Sequence, residues 1–211
     1  MDVKTAIQSG DADALRRLIS AAPACVDGLI PWGEKNNIQT HPLHYMSDMV
    51  FDGTLAQEKA VALARVLIEA GAEIDFQREG KGDTPLIGAA SLGAEDVGLL
   101  LAEAGARREV RGIFGETALH WAAMLGEDRL VGRLVEGLEA SEIDVEDSEY
   151  HSTPLGWAIH GFLDPPSGNV GRQEAVIYLL VEAGAKVRDF WLSGVEARGH
   201  PKMMEALRRG L

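Results

Sequence analysis

The chain has 211 residues, 46% of them hydrophobic and 25% charged, with a formal net charge of −13. That balance belongs to a folded globular protein and excludes a disordered one. So much negative charge repels a phosphate backbone, so the expected partner is a protein with a basic surface and not nucleic acid. The single cysteine, Cys25, allows neither an internal disulfide nor a multi-thiolate zinc site. No apolar run has the length of a signal peptide or a membrane span, so a cytoplasmic protein without a membrane partner is expected.

Taken in chain order, the elements come in pairs. "AIQSGDADALRRLIS" (Ala6–Ser20) reads as two short helices broken at Gly10. "HPLHYMS" (His41–Ser47) opens the next pair, which closes on "LIEAGAEID" at Asp75. "TPLIGAA" (Thr84–Ala90) and "LAEAGARREV" follow, then "TALHWAA" (Thr117–Ala123) and "GLEASEID". "TPLGWAI" (Thr153–Ile159) and "LVEAGAKVRD" come next, and "VEARGHPKMMEALRR" (Val195–Arg209) ends the series. Thr84 and Thr117 lie 33 residues apart, and Thr117 and Thr153 lie 36 apart. Self-similarity at such a period marks stacked structural units.

Each unit reads as helix, turn, helix, loop. The Thr starts the first helix, and a Pro after it sits where a missing N–H costs nothing. Small residues (Ala89, Ala90, Ala122, Ala123, Ala158) let neighbouring helices come close, and Gly93 or Gly126 ends the helix. The second helix carries apolar residues at helical spacing, such as Val97, Leu100 and Leu101, and Gly71, Gly105 and Gly184 supply left-handed C-caps. One such pair cannot bury its apolar face alone, so it must stack on others.

On these phrases the chain resembles the ankyrin-repeat family, whose units of about 33 residues carry T-P-L-H-x-A. The resemblance implies an all-α solenoid of stacked helix-turn-helix units joined by β-turn or hairpin loops. It spans one domain: an N-terminal capping repeat at 1–36, repeats at 37–80, 81–113, 114–149 and 150–187, and a C-terminal capping repeat at 188–211. The second and fifth repeats carry insertions, near 46–58 and 160–173, expected between the two helices of the unit. "HGFLDPPSGN" resembles a long turn of bacterial ankyrin-repeat proteins.

No catalytic constellation stands out. "AASLG" (Ala89–Gly93) has the outline of a serine-hydrolase elbow, but Ala122–Gly126 fills the same slots without a serine. His44 and His120 occupy the repeat's histidine position, where the resemblance implies a ring bonded to backbone of the turn. No metal site is expected without H-E-x-x-H or a Cys/His cluster, and no cofactor is. A non-enzymatic protein-interaction module is therefore the expected function: a scaffold, adaptor or immunity-type inhibitor.

The resemblance implies binding on the first helices and loop tips. Tyr45, Trp121 and Trp157 share one position of the first helix, and Met124 and His160 lie one turn on; aromatic and Met side chains are favoured interface anchors. Arg111, Ile113 and Phe114 form one expected tip, and Glu146, Asp147 and Tyr150 the next, with the acidic one steering a basic partner. The alternatives are a ligand or enzymatic site in the fifth repeat, built from His160, Asp164 and Asn169, and self-association through exposed aromatics. A monomer is expected.

Overall fold

The computed structural model describes residues 1–33, 38–77, 80–165, 172–197 and 199–210. It is mostly helical and divides into two compact units, Met1–Arg107 and Arg108–Leu211.

The first unit begins with α1 (Val3–Ser9) and α2 (Ala12–Ala21), each started by an Asp. Asp2 and Asp11 accept the backbone N–H of Thr5 and Ala14, both at 2.8 Å, which satisfies one orphan donor at each helix start. A 3-10 turn (Pro23–Asp27) leads into an antiparallel hairpin of β1 (Ile30–Trp32) and β2 (Ile38–Thr40), with Pro31 opposite Gln39. Then come α3 (Pro42–Phe51), α4 (Gln57–Glu69), α5 (Pro85–Ser91) and α6 (Glu95–Glu103). The first helices α1, α3 and α5 pack in sequence, and so do the second helices α2, α4 and α6. Leu43, Met46, Leu63, Leu67, Leu86 and Leu101 between them are inaccessible to solvent.

The extra residues of the second repeat are not a surface loop. They lengthen α3 to 10 residues against 7 in α5, and α4 to 13 against 9 in α6. Only Asp52–Ala56 separates α3 from α4, because Met49 and Leu55 are apolar and buried and hold the extension against the core.

The second unit contains α7 (Ala118–Leu125), α8 (Asp128–Val135), the single turn α9 (Ala140–Ile143), α10 (Pro154–Leu163), α11 (Gln173–Glu182), α12 (Asp189–Ala197) and α13 (Pro201–Arg209). Packing again runs first helix on first, α7–α10–α12, and second on second, α8–α11–α13. The approach of α7 to α10 is close at Gly161, where a Cβ would stand 2.1 Å from the carbonyl oxygen of Met124. The small residues Ala122, Ala123 and Ala158 are fully buried along the same contact.

The C-caps form as the phrase "EAGA" implies: Gly71, Gly105 and Gly184 have φ of +88°, +92° and +99°. Two residues after each, a backbone N–H is held by an Asp of a neighbouring repeat. Asp27 accepts from Glu73 at 2.8 Å, Asp75 from Arg107 at 2.8 Å, and Asp144 from Lys186 at 3.0 Å.

Candidate functional site

The repeat histidines are structural. His44 Nε2 bonds the carbonyl of Asp83 at 3.0 Å, and His120 Nε2 bonds that of Ser152 at 3.2 Å. Nδ1 of His120 also accepts the N–H of Thr117 at 3.0 Å, which places the proton on Nε2. Burial is the main cause that lowers both rings, each to about 4. His41, in the Thr position, caps α3 through Nδ1 and bonds Asp27 at 2.9 Å through Nε2. Among the described residues no group of three or more His, Cys, Asp or Glu is placed to hold a metal ion.

Of the aromatic stripe, Tyr45 is set apart. It lies in the first unit with no solvent exposure, its hydroxyl accepting from Gln8 Nε2 at 2.8 Å and its ring meeting Trp32 edge-on. A partner cannot reach it, because the helix α1 and strand β1 that precede the first full repeat cover it.

The second unit gathers the others. Trp121 and Trp157 come from successive first helices and meet edge to face, with ring centroids 4.9 Å apart. Each indole N–H is fixed by a buried carboxylate: Trp121 by Glu116 at 3.1 Å, and Trp157 by Asp147 at 3.0 Å. Glu116 also accepts the backbone N–H of Phe114 at 2.9 Å, so one carboxylate sets both a loop tip and a Trp.

Asp147 does the same at the next tip, where it is buried while Glu146 and Glu149 beside it are exposed. Only 1% exposed, its carboxylate accepts the backbone N–H groups of Glu149, Tyr150 and Ser152 as well as the indole of Trp157. Burial by itself raises its pKa, but the bonds from Tyr150, Trp157, Ser152 and Glu149 outweigh it and hold the carboxyl below the usual Asp value. Asp147 therefore shapes the loop from within and is closed to direct contact with a partner. The neighbouring carboxylates are also engaged: Glu142 accepts from the N–H of Glu139, Asp144 from that of Lys186, and Glu146 pairs with Arg188. Arg111 points its guanidinium at the backbone carbonyls of Gly115 and Glu146, joining two tips. Ser148 N–H to the Phe114 carbonyl, at 2.8 Å, joins them again.

What remains open is apolar. A cavity of about 600 Å³ is lined by Trp121, Met124, Tyr150, Trp157, Phe190 and Trp191, with His151, His160 and Arg188 among its polar members. Its size is that of a ligand or side-chain pocket. Tyr150 and Phe190 line it while 71% and 66% exposed, and Ile113 and Phe114 are exposed apolar residues of the neighbouring tip. Gly156 forms part of the floor, where a Cβ would come within 2.9 Å of Trp191. His151 takes the left-handed region with φ of +49°, a conformation that costs a non-glycine residue about 1 kcal/mol.

Sequence reasoning missed Arg188, Phe190 and Trp191. The signal was the aromatic pair in "RDFWL", which the capping repeat's degeneracy hid. Of the alternative polar cluster, His160 lines the pocket and Asp164 is exposed without lining it, while Asn169 lies outside the described residues.

The comparisons agree with this architecture. A family model of ankyrin repeats in three copies matches residues 54–126 and 97–190. Among solved structures, an ankyrin repeat domain from Acinetobacter baumannii is similar over 99% of this chain and 96% of its own, with a TM-score of 0.70 at 19% identity. Identity that low speaks for the fold and leaves function to the site. No curated protein matches the chain. Among the described residues no helix is long and apolar enough to cross a membrane.

Proposed function

The chain belongs to the ankyrin-repeat family, whose repeats generally serve protein–protein interaction, and on that premise we propose that it is a non-enzymatic module that captures a target protein through its second unit. The observation that carries the reading is the aromatic pocket, with Tyr150 and Phe190 exposed beside it. Exposed large apolar residues clustered around a cavity mark interaction surfaces, and rigid Trp and Tyr rings are the favoured anchors. The buried carboxylates preorganise that surface, since Glu116 and Asp147 fix both the Trp rings and the tips before any partner arrives.

Within this reading the protein acts in the cytoplasm as an adaptor, scaffold or inhibitor of one target, with no cofactor. The test is affinity capture from the native lysate with the wild type and with Trp121→Ala/Phe114→Ala/Tyr150→Ala, followed by mass spectrometry. A protein retained by the first and lost on the second, with the variant still folded by circular dichroism, supports the reading. Equal capture by both removes it.

A further inference from the structure

The pocket of the second unit has a definite chemical preference. Two of its Trp N–H groups are directed to Glu116 and Asp147, so those rings offer the cavity carbon edges and π faces. Among its described lining residues Arg188 is the only Arg or Lys; it pairs with Glu146 and lies 5.4 Å over the Trp191 ring. An acidic or phosphorylated ligand therefore finds no uncommitted permanent cation there. The other polar lining side chains include His151, Ser152 and His160, none of them a Lys or Arg.

A cation is received differently. Ring faces attract ammonium and guanidinium groups, and Arg188 on Trp191 is an internal instance of that contact. Glu149, Asp164 and Asp189 each adjoin a lining residue in sequence, are exposed, and are in no ion pair with a described residue. The chain as a whole carries −13. Exposed carboxylates next in sequence to the lining of an apolar cavity complement a basic, apolar occupant.

The size and openness narrow the occupant further. About 600 Å³ exceeds what one anchoring side chain fills and has room for at least two large ones. The apolar surface also runs out of the cavity over Tyr150 and Phe190, so the occupant continues beyond the pocket.

Resting on the interaction reading above, we infer that the pocket takes a linear segment of a partner protein bearing two large apolar side chains with Lys or Arg beside them. The apolar pair packs on the cavity wall to which Trp121, Trp157 and Trp191 contribute. The cationic heads lie against the outer rings and toward Glu149, Asp164 and Asp189.

The full chain is panned against random linear peptides of about twelve residues, with Tyr150→Ser/Phe190→Ser as the counter-bait. Both positions are largely exposed, so the variant's melting curve should match the wild type. Peptides enriched on the wild type alone should share two large apolar residues and a net positive charge. A synthetic representative should bind the variant about tenfold more weakly, and its Lys/Arg→Glu version should lose at least as much. Enrichment of acidic or uncharged peptides, equal binding of the charge-reversed peptide, or no variant-sensitive enrichment overturns the inference. If a folded protein is captured in a Tyr150- and Phe190-dependent way while no linear peptide is, the interaction reading stands and this inference alone falls.

Discussion

The carboxylate of Asp147 accepts the indole N–H of Trp157 at 3.0 Å and, through its other oxygen, the backbone N–H of Tyr150 at 2.6 Å. One buried residue thereby sets the floor of the pocket and the exposed ring at its side. Remove it and four N–H donors lose their acceptor together.

Asp147→Ala should destabilise the protein by about 2–4 kcal/mol, since buried donors left without a partner cost more than the average hydrogen bond contributes. The native pKa is held below the unfolded value near 3.8. The contribution is thus present above that pH and disappears as the pH falls through the lower native value. Urea titrations at pH 7 and pH 3 measure both, and a variant equal to the wild type at pH 7 refutes the assigned role.

His44 and His120 make stability fall at mildly acidic pH. Both native pKa values are lowered to about 4 from 6.5, so the unfolded chain takes up protons first. Stability is full above 6.5 and is lost as pH drops from 6.5 toward 4, by about 3 kcal/mol for each ring. Asp48 works in the opposite sense. Burial, with Asp52 as a second cause, raises it to about 6. Its contribution is present below 3.8 and lost as pH rises through 6, so Asp48→Asn should stabilise at pH 7.5 by about 1–2 kcal/mol after discount for partial exposure. Melting temperatures between pH 4 and 8 for the wild type, His120→Gln and Asp48→Asn check the three slopes.

Gly161→Ala should cost about 1–3 kcal/mol, because its methyl would meet the Met124 carbonyl and push α7 from α10. Gly132→Ala in α8 is the contrasting case. Its methyl would come no nearer than 3.9 Å to Leu179, so the gain in helix propensity, about 0.5–1 kcal/mol, should raise the melting temperature.

Asp75 holds the N–H of Arg107 and pairs with its guanidinium. Asp75→Ala should weaken the first unit by about 1–2 kcal/mol and speed hydrogen exchange at the Arg107 amide. Unchanged exchange there would show that Asp75 contributes nothing to the stacking.

A chain with a net charge of −13 repels its own copies even with Tyr150 and Phe190 exposed. Light scattering should give a mass near 22.7 kDa at low salt. A doubled mass there would move the exposed aromatics from partner capture to self-association.

Local sequence was enough for the repeat itself. Thr, Pro, small residues and Gly at fixed offsets state where helices begin, approach and end, and their period implies stacking, because each requirement is met within a few residues. Hence Thr84, Thr153 and the "EAGA" glycines take the positions that the phrases imply. Burial and partnership were beyond its reach. Tyr45 and Trp121 share one repeat position, yet one is sealed by α1 and β1 and the other lines a pocket. Asp147 and Glu149 are both acids of one tip, yet only the first is buried, because four N–H groups converge on it. Phe190 and Trp191, far from Trp121 in sequence, complete the cavity through the packing of α12 on α10. Such roles depend on which side chains long-range packing brings together, and that is settled only when the helices are stacked.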